Sequence, residues 1–106
     1  MIRNINGSGP AVGQGVVQSA AAGVQQAWDE IVDTYAGVVW AVPRRQGLSK
    51  QDAAHVSQLT WMRLSDRLND IAPESIGGWL ERTAERECAR VVGLSLVGQE
   101  EQAQPA

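Results

Sequence analysis

Apolar residues recur at intervals of three and four along three segments of this chain, and that spacing constrains its fold more than any other feature. Such spacing places apolar side chains along one face of an α-helix. No stretch alternates apolar and polar residues convincingly, so the sequence predicts an all-α protein without a sheet. The residues of the three apolar stripes are Trp28, Ile31, Val32, Tyr35, Val38, Val39 and Val42, then Ala53, Val56, Ser57, Thr60, Trp61, Leu64 and Leu68, then Ile76, Trp79, Leu80, Thr83, Ala84, Cys88 and Val91.

Capping residues divide these helices from one another. Gly47 is expected to end the first helix, because glycine adopts the left-handed conformation that commonly follows a C-terminus. Ser49 is a typical N-cap for a second helix over residues 50–69. Ser75 is expected to cap a third helix over residues 76–92.

The two ends of the chain differ from its middle in composition. Residues 1–23 are mainly small and uncharged and are expected to form a flexible or partly helical leader, in which residues 16–24 are a candidate extra helix. Residues 93–106 end in the polar run QEEQAQPA and are expected to form a disordered tail. The folded domain is expected over residues 24–92, as a small bundle of three helices, or of four if the leader joins it.

The composition argues against several classes of protein. A single cysteine cannot form an intramolecular disulfide, and one cysteine with one histidine cannot complete a four-ligand zinc site. No apolar run approaches the roughly 20 residues that span a bilayer, and the N-terminus lacks the features of a signal peptide. A cytoplasmic protein without metal, cofactor or membrane contact is therefore expected. The net charge of −3 argues weakly against a free-standing nucleic-acid-binding protein.

Candidate catalytic residues are few. His55 and Cys88 could in principle form a thiol–imidazole pair, but they lie on different predicted helices and lack an evident orienting group. Cys88 belongs to an apolar stripe, and His55 is expected to face solvent or a partner. We expect no enzymatic activity, because the charged residues of the third helix are typical of a solvated face. That face comprises Glu81, Arg82, Glu85, Arg86, Glu87 and Arg90.

Three short motifs occur in the order and at the spacing of a known family. They are residues 28–32 (WDEIV) with Tyr35, residues 47–49 (GLS) followed by 52–58 (DAAHVSQ) and 61–64 (WMRL), and residues 78–88 (GWLERTAEREC). Together they resemble region 2 of the extracytoplasmic-function (ECF) sigma factors, a bacterial group of the sigma-70 family, in its actinobacterial form. The resemblance implies a small helical bundle with a role in transcription initiation.

Region 2 of such factors docks its second helix on the clamp coiled coil of the RNA polymerase β′ subunit. It then captures the single-stranded −10 element of promoter DNA, with one base flipped into a pocket. By position, the resemblance implies a polymerase-binding set of Asp52, His55, Gln58, Leu59, Met62 and Arg63. It implies a DNA-binding set of Asn69, Asp70, Ser75, Trp79, Arg82, Arg86 and Arg90.

Other interpretations of these residues remain open. Trp79 lies in an apolar stripe, which is also typical of a core residue, and Arg82 and Arg86 have acidic neighbours with which they could form surface ion pairs. The family usually carries an acidic residue where His55 stands, and no second helical domain (region 4) is expected within 106 residues. His55, the acidic net charge and the missing region 4 support a second hypothesis after the region 2 module, a sigma-like regulator or split-factor subunit that acts by protein–protein contact, for example with an anti-sigma factor or a separate region 4 protein. An unrelated helical interaction module is the third hypothesis.

Overall fold

The chain folds into an all-α bundle, as the sequence predicts. The computed structural model describes residues 12–103, and the side chains of residues 12–94. Within that part of the chain there are four α-helices and no strand, and no helix is both long and apolar enough to cross a membrane. The helices are α1 (Gln14–Ala21), α2 (Gln25–Arg45), α3 (Lys50–Arg67) and α4 (Ile76–Ala103), with two 3₁₀ turns, Leu68–Asp70 and Pro73–Ser75, between α3 and α4.

The turn residues end and begin the helices largely where the sequence predicts. Gly47 follows α2 with a φ of +86°, a conformation that glycine adopts without the steric cost of a side chain. The hydroxyl of Ser49 caps α3 by accepting a hydrogen bond from the amide of Asp52 at 3.1 Å. Ser75 instead belongs to the 3₁₀ turn that leads directly into α4, and its amide donates to the carbonyl oxygen of Ala72 at 2.8 Å.

The core lies where α2, α3 and α4 face one another. Its larger cluster brings together fully buried side chains of all three helices, and a smaller cluster lies beside the α2–α3 turn. The sequence predicts that Val38 belongs to the core-facing stripe of its helix, and this is wrong. Its side chain is exposed, because it lies at the edge of the stripe in which Ile31 and Val39 are buried. The larger cluster contains Val12, Val17, Ile31, Tyr35, Val39, Leu64, Leu68, Ile76 and Leu80, and the smaller one Val42, Leu48, Val56, Ala84 and Cys88.

The segment expected to be a flexible or partly helical leader forms α1 and joins the core. Val12 and Val17 are buried in the larger cluster, and the amide of Val12 donates a hydrogen bond to the Tyr35 hydroxyl at 3.4 Å. Burial of these two valines against α2 offsets the low helix propensity of a glycine-rich segment. The rest of the predicted leader, residues 1–11, lies outside the described residues.

The last helix continues past its predicted end. The sequence predicts that it ends near residue 92, but α4 runs to Ala103, so residues 93–103 are helical and the prediction of a disordered tail is wrong for them. Gly93 costs a helix only about 1 kcal/mol relative to alanine, which does not suffice to end it. After α4 begins, the next proline in the sequence is Pro105, which lies in the stretch 104–106 that the structure does not describe.

Candidate functional site

A groove of about 480 Å³ lies between α3 and α4. Its lining is almost entirely charged, with a single aromatic residue. Four arginines against two carboxylates leave it with a formal excess of two positive charges, although the whole chain is acidic. The lining residues are Arg63, Asp66 and Arg67 of α3, and Trp79, Arg86, Glu87 and Arg90 of α4. We call this feature the arginine groove.

Helical spacing explains why these side chains meet. Arg63 and Arg67 are four residues apart on α3, which places them one turn apart on the same flank. On α4, Arg86 follows Trp79 by seven residues and precedes Arg90 by four, so the three also share a flank. Because α3 and α4 pack side by side, the two flanks form the walls of one groove.

Glu87 is the one charged residue that the bundle buries at this site. Its side chain is only 3% exposed, and Arg63 Nε donates a hydrogen bond to its Oε2 at 3.2 Å. Arg90 Nε lies 3.7 Å from Oε1, beyond hydrogen-bonding distance. Glu87 Oε1 is fully buried and has no hydrogen-bond donor among the residues described.

The expectation that Glu87 covers a solvated face is therefore wrong. The signal was present in the spacing: Glu87 follows Leu80 by seven residues and Thr83 by four, which is the register of the buried stripe. Charged residues are rarely buried unless paired, and its partner Arg63 lies 24 residues away on α3. Nothing in the local sequence identifies that partner.

Two arginines of the groove are left without an acidic partner. Within the described residues, neither Arg67 nor Arg86 has a carboxylate within ion-pair distance, and Arg86 Nη2 donates to Thr83 Oγ1 at 3.3 Å. Trp79 is half-buried: it packs against the larger core cluster and also lines the groove. In the part of the chain whose side chains are described, the groove therefore offers guanidinium groups without a carboxylate partner beside an aromatic side chain.

The structure brings together only part of the DNA-binding set. Trp79, Arg86 and Arg90 line the arginine groove, and Arg82 is exposed on the same flank of α4. Asn69, Asp70 and Ser75 lie in the 3₁₀ turns, are exposed, and do not line the groove. Asn69 instead borders a separate depression between α1 and the end of α3.

The polymerase-binding set lies along α3. His55, Gln58 and Met62 are exposed, with Met62 at 58%, whereas Asp52 and Leu59 are half-buried. Arg63 is the exception, because its guanidinium group turns into the arginine groove and pairs with Glu87. Asp66 and Arg67 line the groove too, but the sequence analysis missed them because they follow the motif that carries the resemblance.

The other candidate residues do not form a site. Cys88 is buried in the smaller core cluster, and its pKa is raised by burial and, further, by the negative charge of Glu85. The thiol consequently stays protonated near neutral pH and is a weak nucleophile. His55 is exposed on α3. No group of three or more potential metal-ligating side chains occurs in the described part of the chain.

The chemistry of the arginine groove is that of anion binding next to a stacking surface. Guanidinium groups pair with phosphate oxygens, and an indole ring stacks on a nucleic-acid base. No family model, curated protein or solved structure matches this chain. A functional assignment therefore depends on the residues of the groove and on the motifs of the sequence.

Proposed function

We propose that this chain is a sigma factor region 2-like domain, which binds the RNA polymerase clamp and captures single-stranded −10 promoter DNA in transcription initiation. The observation that carries the proposal is the arginine groove, in which unpaired arginines flank Trp79 in an otherwise acidic chain. The groove lies on the two helices that hold the second and third sequence motifs of the resemblance.

The groove suits a single strand better than a duplex. A stacked base needs an exposed aromatic face, which contributes about 1–3 kcal/mol per base and is accessible only when the bases are unpaired. Trp79 can provide that face, while among residues 12–94 Arg67 and Arg86 have no carboxylate to displace before they bind phosphates. The net charge of −3 does not prevent this binding, because positive charge is concentrated at the groove, and docking on polymerase is expected to strengthen the binding further.

The polymerase-binding half of the proposal rests on the outer surface of α3. Met62 is exposed there beside His55 and Gln58. Methionine is enriched at protein interfaces because its unbranched, polarisable side chain adapts to a partner. A partner bound to this surface would lie next to the arginine groove, since Arg67 of the same helix lines it.

The second candidate function is a sigma-like regulator or split-factor subunit that binds protein without reading promoter DNA. Glu87 favours it, because this carboxylate already pairs with Arg63 and lies 3.7 Å from Arg90, which reduces the positive charge available to a strand. An anti-sigma factor or a separate region 4 protein would be its partner. The two proposals share polymerase binding and differ in whether DNA is captured.

Replacing Met62 with alanine is expected to weaken binding to core RNA polymerase by about 5-fold or more, the effect of truncating one of the minority of interface residues that contribute most of the binding energy. Trp40→Ala serves as the matched control, because it removes an exposed apolar side chain from α2 and is expected to leave binding unchanged. Binding is measured by titrating labelled chain with purified polymerase. If the unaltered chain does not associate at low salt, both proposals are wrong.

Binding of a −10-containing single strand, with and without polymerase, separates the two candidates. The sigma-like domain is expected to bind the strand on its own at low salt and more tightly in the complex with polymerase, with an affinity that falls as salt rises. The sigma-like regulator is expected to bind polymerase and not the strand.

A further inference from the structure

We propose that the arginine groove selects a nucleotide whose base carries an exocyclic amino group, and that Glu87 Oε1 accepts a hydrogen bond from that group. Cytosine, adenine and guanine carry such a group, and uracil and thymine do not. The inference rests on the proposed function for the presence of a single strand. It goes beyond that function by assigning a base-selecting role to a residue outside the family resemblance's DNA-binding set.

The two oxygens of Glu87 have different environments. Arg63 Nε donates to Oε2 at 3.2 Å, which fixes the orientation of the carboxylate. Oε1 is fully buried, borders the groove and has no donor among the residues described. A buried acceptor without a donor is costly to a fold, and a ligand that supplies the donor recovers that cost on binding. Oε1 is therefore available to accept a hydrogen bond from a ligand, in a carboxylate whose orientation Arg63 fixes.

Arg90 forms an ion pair with this oxygen. Its Nε lies 3.7 Å from Oε1, which is too far for a hydrogen bond, and its side chain is 60% exposed. In the proposal Arg90 turns towards solvent and the incoming amino group takes its place at Oε1, so the lost ion pair is replaced by a hydrogen bond. The guanidinium group then pairs with the phosphate of the same nucleotide.

Trp79 supplies the surface against which the base would lie. It lines the groove together with Glu87 and Arg90, and in the proposal a base stacked on the indole presents its edge to the carboxylate. A carboxylate accepts a hydrogen bond from the N4 amino group of cytosine, whereas uracil and thymine present a carbonyl oxygen at that position. Two oxygens repel each other, so the groove is expected to disfavour uracil and thymine.

The test compares two homopolymeric oligodeoxynucleotides of equal length, one of dC and one of dU. Binding of each to the full chain is measured at low ionic strength. The two pyrimidines differ only at ring position 4 and the adjoining nitrogen, so base size and backbone are matched. The dC strand is expected to bind more tightly by about 10-fold or more, the usual worth of one well-placed hydrogen bond to a charged acceptor. This comparison on the unaltered chain needs no variant to fold.

Glu87→Gln is expected to invert the preference. Arg63 Nε requires an acceptor, so it takes the amide oxygen of glutamine and leaves the amide nitrogen in the place of Oε1. An N–H donor at that position suits the carbonyl oxygen of uracil, and the dU strand becomes the tighter ligand. A circular dichroism spectrum that matches the unaltered chain serves as the folding control.

Equal binding of dC and dU strands by the unaltered chain would overturn the inference, as would a dC preference that survives Glu87→Gln or the absence of binding to either strand. Binding of free dCMP shows whether the groove prefers a single nucleotide or a strand. Equal affinity for dCMP and the dC strand supports base selection but counts against a strand as the natural occupant. Polymerase binding that depends on Met62 is measured separately, so each proposal can fail alone.

Discussion

Replacing Leu80 with alanine is expected to lower the free energy of unfolding by about 2–5 kcal/mol, the range measured when leucines are truncated in packed cores. Leu80 is fully buried on α4, in the cluster that joins this helix to Ile31 of α2 and Leu64 of α3. A native domain is stable by only about 5–15 kcal/mol, so this loss is a large fraction of the total. The variant is therefore expected to unfold at a clearly lower urea concentration than the unaltered chain.

Leu94→Ala is the matched control, because it makes the same change on the same helix at a position that is 67% exposed. Its effect is expected to stay within about 0.5 kcal/mol, as is usual for surface substitutions. Urea unfolding followed by circular dichroism measures both variants. Equal destabilisation by the two changes would show that α4 does not pack through the face that carries Leu80.

Removing the two unpaired arginines together, Arg67→Ala with Arg86→Ala, is expected to weaken single-strand binding by at least about 10-fold. Each arginine that neutralises a phosphate releases a counterion, which contributes about 0.7 to the slope of log affinity against log salt for single strands. Loss of two such contacts is expected to reduce the magnitude of that slope by about 1.4. Fluorescence anisotropy of a labelled strand across a salt series measures both quantities.

A second double variant, Arg45→Ala with Lys50→Ala, changes the net charge of the chain equally but lies away from the arginine groove. Arg45 forms only an exposed ion pair, at 3.6 Å from Glu81, which contributes little to stability. This variant is expected to retain the affinity and salt slope of the unaltered chain. If both double variants lose the same affinity, net charge and not the groove governs binding.

The fold class could be predicted from the sequence because local and tertiary signals agree over most of the chain. The buried face of α3 follows the predicted stripe through Ala53, Val56, Thr60 and Leu64, and Ser49 caps the helix as its position indicates. Periodicity predicts such faces because a soluble helix must bury its apolar side against a neighbour.

The two ends of the chain could not be predicted in this way. The helical state of α1 depends on where Val12 and Val17 are buried, which is a property of the packed bundle and not of the local sequence. The continuation of α4 past Gly93 shows the opposite case. A glycine weakens a helix without ending it, so polarity alone is a poor signal for disorder.

The arginine groove was only half predictable. The family resemblance includes Trp79, Arg86 and Arg90 in its DNA-binding set, and the structure places these three in one groove. The role of Glu87 could not be recognised from charge, because its burial depends on a partner from another helix, Arg63. Residue type and helical spacing conflicted at Glu87, and such conflicts are expected at functional sites.

The central claim, that the arginine groove holds a single strand, is tested most directly by an NMR titration of the ¹⁵N-labelled chain with a cytosine-containing oligonucleotide. The chain has four tryptophans, of which Trp79 lies in the groove and Trp40 lies outside it. The account predicts that the indole N–H signal of Trp79 shifts on binding, while that of the exposed Trp40 on α2 does not. A shift at Trp40 without one at Trp79, or no shift at either, would contradict it.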